Sequence, residues 1–314
     1  GAEVKPLKYD EVWPLSNQRA RVKINNKYGY IDRRGVEVIS LKYDKAKDFS
    51  EGLASVKINS KWGLINRDGV EVIPLSYDEV HSFSEERSLV KKESKYGYVD
   101  KNGMEVIPLK FDFGESFSGK HAKVKFGTNW GYIDENGLEA IPIKYDFVSS
   151  FSEGIVWVAL NGKYGFIDYY GREITSLKYD YTFDFLGDRA IVKLNGKYGF
   201  IDHYGREITS LKYNYIENFS SDRAVVKLGG KYGYIDKTGY EVIPLKYDNV
   251  KSFSGNRAVV NLNGKYGFID LAGHEVIPLK YDNAFDFDNR FARVVINSKW
   301  GTIDKLGQVI VPFE

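Results

Sequence analysis

The sequence predicts an all-β protein built as a tandem array of small β-meanders. An aromatic residue followed by glycine recurs at a constant interval of 34 residues. Asn-Gly pairs, which are typical of tight hairpins, lie between short runs of alternating apolar and polar residues. No segment shows the apolar spacing of an amphipathic helix. A fixed period without insertions indicates an array of one small unit rather than an enzyme fold decorated with loops.

The aromatic-glycine pairs define nine units. They are Tyr28-Gly29, Trp62-Gly63, Tyr96-Gly97, Trp130-Gly131, Tyr164-Gly165, Tyr198-Gly199, Tyr232-Gly233, Tyr266-Gly267 and Trp300-Gly301.

Each unit begins with a hairpin. In the first unit the two strands run from about Ala20 to Ile24 and from Lys27 to Asp32, around a turn at Asn25-Asn26 that becomes Asn-Gly in later copies. Asn and Gly both tolerate the positive φ that a two-residue hairpin turn requires. This loop length predicts that Val22 lies opposite Gly29.

A second turn and a third strand follow. The pattern Asp-x-x-Gly, as in Asp32 to Gly35, is typical of a type I turn closed by a left-handed glycine. The third strand is predicted from Val36 to about Leu41, and a three-residue loop at 33–35 places Val38 beside Tyr30. A connector of about ten residues, running from "LKYD" to "FS", then leads to the next unit and has room for a short fourth strand.

The motif glycine is predicted to leave a slot for an aromatic ring. Val22 and its equivalents face glycine in every unit, and Tyr43 and Phe49 recur at the same period as the predicted occupants. Both faces of the predicted sheet are apolar. Each face therefore has to be covered by a neighbouring unit, about 10 Å away.

Stacked meanders of this kind predict an open β-solenoid or superhelix, with a closed propeller-like ring as the alternative. Propeller blades usually have about 40 residues or more and number about four to eight, whereas these units have 34 residues and number nine. No insertion marks an internal boundary. Residues 1–314 are therefore predicted to form a single repeat domain of nine units, with partial units at both ends.

Composition excludes several classes of function. The 45 basic and 43 acidic residues give a net charge of +2, which argues against nucleic acid and against an anionic membrane as partners. No run approaches the roughly 18 consecutive apolar residues of a membrane span. The absence of cysteine excludes disulfides and thiol chemistry. It fits an exported or cell-surface protein, which is favoured over a cytoplasmic one.

The repeated signature resembles a known family. The segment "KWGLINRDGVEVIPLSYDEV" and its relatives follow K-[WY]-G-[YF]-I-D-x-x-G-x-E-V-I-P-x-x-Y-D, and F-S-E-G-x-A comes next. This pattern is similar to the WG-containing repeat, or KWG repeat, of bacterial proteins, and it covers essentially the whole chain. Six of the nine motif aromatics are Tyr rather than Trp. The resemblance implies an interaction module and supplies no catalytic residue.

The titratable residues predict no catalytic residue, no metal and no cofactor. The four histidines occupy four different positions of the repeat, so they form no ladder of metal ligands. The recurring Asp32 is explained by turn chemistry, because an aspartate that opens a type I turn accepts hydrogen bonds from the backbone ahead. Serine recurs after phenylalanine without a matching His-acid pair.

Positions at which the units differ predict the binding site. The position of Lys45 is polar at both ends of the chain and aromatic in the middle. At the two turn-tip positions, Arg33-Arg34 gives way to Tyr169-Tyr170 and His203-Tyr204 and then returns to Lys237-Thr238, and the position of Arg21 becomes Trp157. A turn tip needs no ring for folding, so exposed rings there indicate contact with a ligand or partner. The candidate residues are Phe113, Phe147, Trp157, Tyr169, Tyr170, Tyr181, His203, Tyr204 and Tyr215. The alternatives are a recent duplication of two nearly identical units and burial of this strip by curvature.

These observations predict a non-catalytic interaction or scaffold protein. The expected partner is another protein, bound on an extended repeat surface. The alternative is a polysaccharide or cell-wall glycan, because aromatic platforms suit the faces of sugar rings.

Overall fold

Each repeat forms one antiparallel β-meander. The computed structural model describes residues 8–288 and 290–314. These residues form strands and no helix. The described part of the chain therefore contains no helix that could cross a membrane. The chain divides into two compact units, unit 1 from Gly1 to Val148 and unit 2 from Ser149 to Glu314. The predicted all-β tandem array is confirmed, while the single repeat domain over residues 1–314 stays a prediction.

Unit 1 contains four complete meanders, in which neighbouring strands follow the order of the chain. Their strands are Glu11–Val12, Ala20–Ile24, Lys27–Ile31 and Glu37–Tyr43; Lys45–Ala46, Leu53–Ile58, Lys61–Asn66 and Glu71–Tyr77; Glu79–Val80, Ser88–Lys92, Lys95–Val99 and Glu105–Phe111; and Phe113–Gly114, His121–Phe126, Asn129–Asp134 and Glu139–Tyr145. The short strand Phe147–Val148 ends the unit.

Unit 2 continues the same pattern. Its strands are Ile155–Leu160, Lys163–Asp168 and Glu173–Tyr179; Tyr181–Thr182, Arg189–Leu194 and Lys197–Asp202; Tyr215–Ile216, Ala224–Leu228, Lys231–Ile235 and Glu241–Tyr247; Asn249–Val250, Ala258–Leu262, Lys265–Ile269 and Glu275–Tyr281; and Asn283–Ala284, Phe291–Ile296, Lys299–Asp304 and Val309–Val311. After Asp202, isolated bridges such as Tyr198 to Tyr213 replace a regular outer strand.

The predicted hairpin is confirmed in turn geometry and in register. Asn25 and Asn26 have φ of 47° and 61°, the left-handed values that a two-residue turn demands. Val22 pairs with Gly29. The predicted short fourth strand is also present, and Ala46 of the connector pairs with Val56 of the next hairpin. The connector thus supplies the first strand of the following meander.

The predicted pairing of the third strand is wrong beyond its first residue pair. Ile31 pairs with Glu37, as a three-residue loop dictates, but Tyr30 then pairs with Ile39 rather than Val38. Two bulge-type register shifts in this strand cause the difference. They turn Ile39 into the core and leave Val38 exposed.

The bulged strand, and not a ring, occupies the space beside the motif glycine. A Cβ atom on Gly29 would lie 2.6 Å from the carbonyl oxygen of Ile39 and 2.9 Å from the backbone nitrogen of Leu41. The predicted occupants Tyr43 and Phe49 instead lie in the core. A ring fills this space only beside Gly301 among the described motif glycines, where the ring is Phe313. The glycine is therefore required by close backbone approach.

Within unit 1 and within unit 2, the core lies between the meanders of successive repeats. Tyr30, Ile39 and Tyr43 of the first meander pack against Ala54 and Val56 of the second. The hydroxyl of Tyr30 donates to the backbone oxygen of Lys47, 2.6 Å away, so its polar end is satisfied inside an apolar layer. The prediction that neighbouring repeats cover each other's sheet faces is confirmed.

A second repeated carboxylate ties adjacent repeats together. Asp44 accepts a hydrogen bond from Lys27 Nζ at 2.5 Å and another from the backbone N–H of Asn59 in the next hairpin at 2.8 Å. The lysine contact is the main reason why the pKa of Asp44 lies below its ordinary value. The same arrangement recurs at Asp78, Asp112, Asp180, Asp248 and Asp282.

These carboxylates predict loss of stability in acid. Their pKa values are depressed in the folded chain, so the unfolded chain binds more protons below about pH 4, where its carboxyl groups titrate. Stability should be constant near neutrality and fall as the pH drops from about 4 towards the folded pKa values. Urea midpoints at pH 7, 4 and 3 measure this effect, and Asp44→Asn should reduce the pH dependence. A midpoint that stays constant or rises in acid would contradict the assignment.

Candidate functional site

The turns that carry the candidate residues fold without help from their tip side chains. Asp168 Oδ1 accepts hydrogen bonds from the backbone N–H groups of Tyr170 and Arg172, both at 2.9 Å, and Oδ2 accepts one from Arg172 Nε at 2.7 Å. Partial burial acts to raise the pKa of Asp168, but these hydrogen bonds hold it below its ordinary value. The tip residues are consequently free to vary.

In two repeats of unit 1 the first tip residue is a cation that contacts a loop of the preceding repeat. Lys101 Nζ lies 2.7 Å from a carboxylate oxygen of Glu86 and 3.4 Å from one of Glu51 in the preceding repeat. Arg67 Nη2 donates to Asn17 Oδ1 of its preceding repeat at 3.0 Å. The tip cation therefore links successive repeats at the surface.

Rings replace this cation in two adjacent repeats of unit 2. Tyr169 packs against Phe151, with ring centroids 5.5 Å apart, and His203 packs against Phe185 at 4.8 Å. The second tip residue, Tyr170, is 76% exposed, and its equivalent in the next repeat is Tyr204, which is 77% exposed.

The two turns border an open groove of about 550 Å³. The groove brings together four of the nine predicted residues, and its lining consists of Glu153, Gly154, Ile155, Asp168, Tyr169, Tyr170, Arg172, Glu173, Ile174, His203 and Tyr204. Arg172 is ion-paired with Asp168 at 2.7 Å. Two further carboxylates, on Glu153 and Glu173, give the lining a net charge of −2 with neutral histidine.

Three other predicted residues of unit 2 lie away from the groove. Trp157 and Tyr181 pack on the motif ring of Tyr164, with centroids 5.6 and 5.7 Å away. Tyr164 is near the start of the strand Lys163–Asp168, whereas the groove lies beyond its end, about 13 Å further along at 3.3 Å per residue. The indole N–H of Trp157 donates to Asp184 Oδ1 at 2.8 Å.

The third of these residues, Tyr215, packs on a motif ring as well. Its centroid lies 6.3 Å from that of Tyr232. Its hydroxyl donates to Glu217 Oε1 at 2.7 Å, and this hydrogen bond is the main reason why the pKa of Tyr215 is raised to about 12.

The two predicted residues of unit 1 also pack on motif aromatics. Phe113 and Phe147 flank Trp130, with centroid distances of 5.5 and 6.0 Å. Lys123 Nζ lies 4.5 Å from the Phe147 centroid, and burial lowers the pKa of this lysine. These residues form an aromatic ladder along the surface, and the groove does not include them.

Sequence comparison between repeats found the rings of the groove but missed its carboxylates. Glu153 occupies the same repeat position as Glu51, so it looks like an ordinary member of the series. The signal that could have identified it is the loss of a matching tip cation. Recognising that signal requires knowing that this loop meets the turn tip of the next repeat.

Among the described residues, no group of three or more His, Cys, Asp or Glu side chains could hold a metal ion. The groove offers aromatic faces, two carboxylates and an arginine-aspartate pair. Such a lining can bind a ligand by stacking, by cation-π contact and by hydrogen bonding.

The repeated meander, with its Asp-capped turns and aromatic-glycine strand, defines a tandem-repeat β protein. The profile of the WG containing repeat matches nine consecutive segments of the chain. They are residues 1–28, 28–62, 62–96, 96–127, 130–164, 164–198, 198–232, 232–266 and 266–300. The chain belongs to the WG-containing repeat family, which confirms the resemblance found in the sequence.

Comparison with solved structures gives weak similarities. A eukaryotic initiation factor is 11% identical with a TM-score of 0.39, covering 95% of this chain and 96% of its own. Hsv2p of Kluyveromyces lactis is 9% identical with a TM-score of 0.31, covering 73% and 93%. The tricorn protease is 15% identical with a TM-score of 0.26, and this chain spans 38% of its length. These scores support no inference, and no curated protein sequence matches significantly.

Proposed function

We propose that the chain is a non-catalytic interaction protein that binds a protein partner on its repeat surface, centred on the groove between the turns of residues 168–171 and 202–205. The observation that carries this proposal is the exposure of Tyr170 and Tyr204. Both rings lie at turn tips that need no aromatic residue for folding, and both border a concave surface. Tyrosines in such positions are typical of protein interfaces.

A binding role agrees with the use of the repeated polar residues. The aspartates of the turns hold backbone N–H groups, as Asp32 does for Arg34 and Val36 at 2.9 and 3.0 Å. The aspartates of the connectors bind lysine and the next hairpin, as Asp44 does. The repeat chemistry is thus structural, whereas Tyr170 and Tyr204, at tips where the repeats differ, are exposed.

Binding that depends on the groove tyrosines is the expected result of a direct test. Partners captured by the whole chain should be purified and their affinity measured for the original chain and for Tyr170→Ser plus Tyr204→Ser. A ring that is a hot spot at an interface contributes about 2 kcal/mol, so the double variant should bind roughly 30-fold more weakly if one ring is a hot spot and roughly 1,000-fold more weakly if both are.

Tyr240→Ser is the matched control, because Tyr240 is an exposed tyrosine of the next repeat that does not line the groove. It should bind as the original chain does. Unchanged affinity of the double variant would contradict a binding site at the groove.

A glycan ligand is the alternative, and one observation favours it. The groove combines exposed tyrosine rings with two carboxylates, which can stack on sugar faces and accept hydrogen bonds from hydroxyl groups. Binding of purified polysaccharide that disappears in Tyr170→Ala plus Tyr204→Ala would support this alternative over a protein partner.

A further inference from the structure

In two other repeats the loop position of Glu153 receives a cation from the following repeat. Lys101 lies in the repeat after Glu51 and reaches its carboxylate at 3.4 Å. Arg67 likewise reaches Asn17 of the repeat before it at 3.0 Å. Glu153 lies three repeats after Glu51 in the same loop position.

The residue that should supply this cation to Glu153 is His203, three repeats after Lys101. Its ring packs against Phe185, and its Nε2 is buried without a hydrogen-bond partner in the described part of the chain. The imidazole therefore does not take the place of the lysine. No ion pair of Glu153 is found among residues 8–288 and 290–314.

We propose that the groove binds a basic side chain, preferentially arginine, contributed by a protein partner. The incoming cation takes the place that Lys101 has beside Glu51. This proposal rests on the proposed function and specifies the chemistry of the partner.

Three features of the groove favour a cation. Its lining carries a net charge of −2 with neutral histidine, and its single guanidinium, on Arg172, is already paired with Asp168 at 2.7 Å. Arg172 and Arg206 already lie over the rings of Tyr170 and Tyr204, at 5.2 and 5.0 Å from the centroids, and the exposure of 76% and 77% leaves each ring a second face for cation-π contact. A planar guanidinium can stack on such a ring while it binds a carboxylate with two hydrogen bonds, which favours arginine over lysine.

The test uses a fluorescein-labelled peptide of four Gly-Arg repeats and the whole chain, with affinity measured by fluorescence anisotropy. A peptide of four Gly-citrulline repeats is the matched ligand, because citrulline keeps the shape of arginine without its charge. The arginine peptide is expected to bind at least about tenfold more tightly than the citrulline peptide, and added salt should weaken it. Equal affinity for the two peptides would overturn the proposal.

Two sets of variants locate the site. Glu153→Gln plus Glu173→Gln should weaken binding of the arginine peptide by about tenfold or more, because it removes the two carboxylates of the groove that have no ion pair in the described part of the chain. Glu105→Gln plus Glu135→Gln removes two exposed charges of unit 1 and should leave the affinity unchanged. Equal effects of the two pairs would mean nonspecific attraction and would overturn the proposal.

His203→Lys tests the replacement directly. The new lysine should reach Glu153 as Lys101 reaches Glu51, retain the fold and abolish binding of the arginine peptide. Thermal unfolding and circular dichroism would verify that the variant is folded. A folded His203→Lys chain that still binds the peptide with the original affinity would contradict the inference.

The two proposals can fail separately. If binding of a purified partner depends on Tyr170 and Tyr204 but not on Glu153, Glu173 or His203→Lys, the function stands and the basic side chain is wrong. If partner binding is independent of both tyrosines, the proposed function fails. A polysaccharide that binds the groove and is not displaced by the arginine peptide would overturn the inference and support the glycan alternative.

Discussion

Gly233→Ala is expected to destabilise the chain by about 2–3 kcal/mol or more, the cost typical of inserting an atom where nothing can move. The new Cβ atom would lie 2.5 Å from the carbonyl oxygen of Ile243 and 2.9 Å from backbone atoms of Pro244 and Leu245. All three atoms belong to the backbone of the bulged outer strand, so no side-chain rotation relieves the contact. Equilibrium unfolding in urea measures the change.

Gly229→Asn is the matched control in the same repeat. Gly229 has φ of 58° and no atom near the position of a Cβ. Asn195 and Asn263 occupy the equivalent turn position with φ of 50° and 52°, so asparagine fits there. This control should stay close to the original stability. If Gly233→Ala were equally stable, close backbone approach would not be the reason for the motif glycine.

The difference between these two glycines shows which parts of the fold sequence could predict. The hairpin at Asn25-Asn26 is local, and its two left-handed residues fix the register of the pair Val22 and Gly29. Turn chemistry therefore predicted both strands and their pairing. The same reasoning predicted the first pair after the next loop, Ile31 with Glu37.

The outer strand could not be predicted in the same way. Its register shifts after Ile31, and the shift places Ile39 in the layer between two repeats, where Tyr43 packs with Tyr30. Packing between repeats favours this register, and no turn signature encodes it. Once the strand bulges, its backbone passes over the motif glycine, and the ring predicted for that space has no room.

The candidate site, like the fold, has one part that the sequence could predict and another that it could not. Exposure of Tyr170 and Tyr204 could be predicted, because the Asp168-type turn is closed by backbone contacts alone. The proximity of Tyr169 and His203 to Glu153 could not be predicted, because these residues come together through the stacking of successive repeats. The rings at the position of Tyr181 each pack on a motif aromatic, and their role as contacts with a ligand stays a prediction.

A repeat array allows this separation of scaffold and site. Repeat interfaces within unit 1 and within unit 2 contain a similar buried layer, as the clusters around Tyr30 and Tyr234 show. A tip residue can change from lysine to histidine without replacing that layer, because the tip packs on its edge, as His203 does on Phe185. Surface variation along a constant framework is the physical basis for a binding site confined to a few repeats.

Phe185→Ala is expected to reduce both the stability of the chain and its affinity for the arginine peptide. Phe185 is 4% exposed, and its ring lies 5.1 Å from that of Phe166 and 4.8 Å from that of His203. Its removal leaves a cavity inside a repeat interface and should cost about 3–5 kcal/mol. It also removes the surface that holds His203 at the edge of the groove.

Phe183→Ala is the control, since Phe183 lies two residues away and is 45% exposed. It should change stability by less than about 1 kcal/mol, as surface substitutions usually do, and leave binding intact. Urea unfolding and affinity for the arginine peptide, measured where each variant is still folded, give both quantities. A destabilised Phe185→Ala chain with unchanged affinity would show that the position of His203 does not matter to the ligand. Loss of both stability and affinity would show that ligand binding at the groove depends on the packed interior of the repeat.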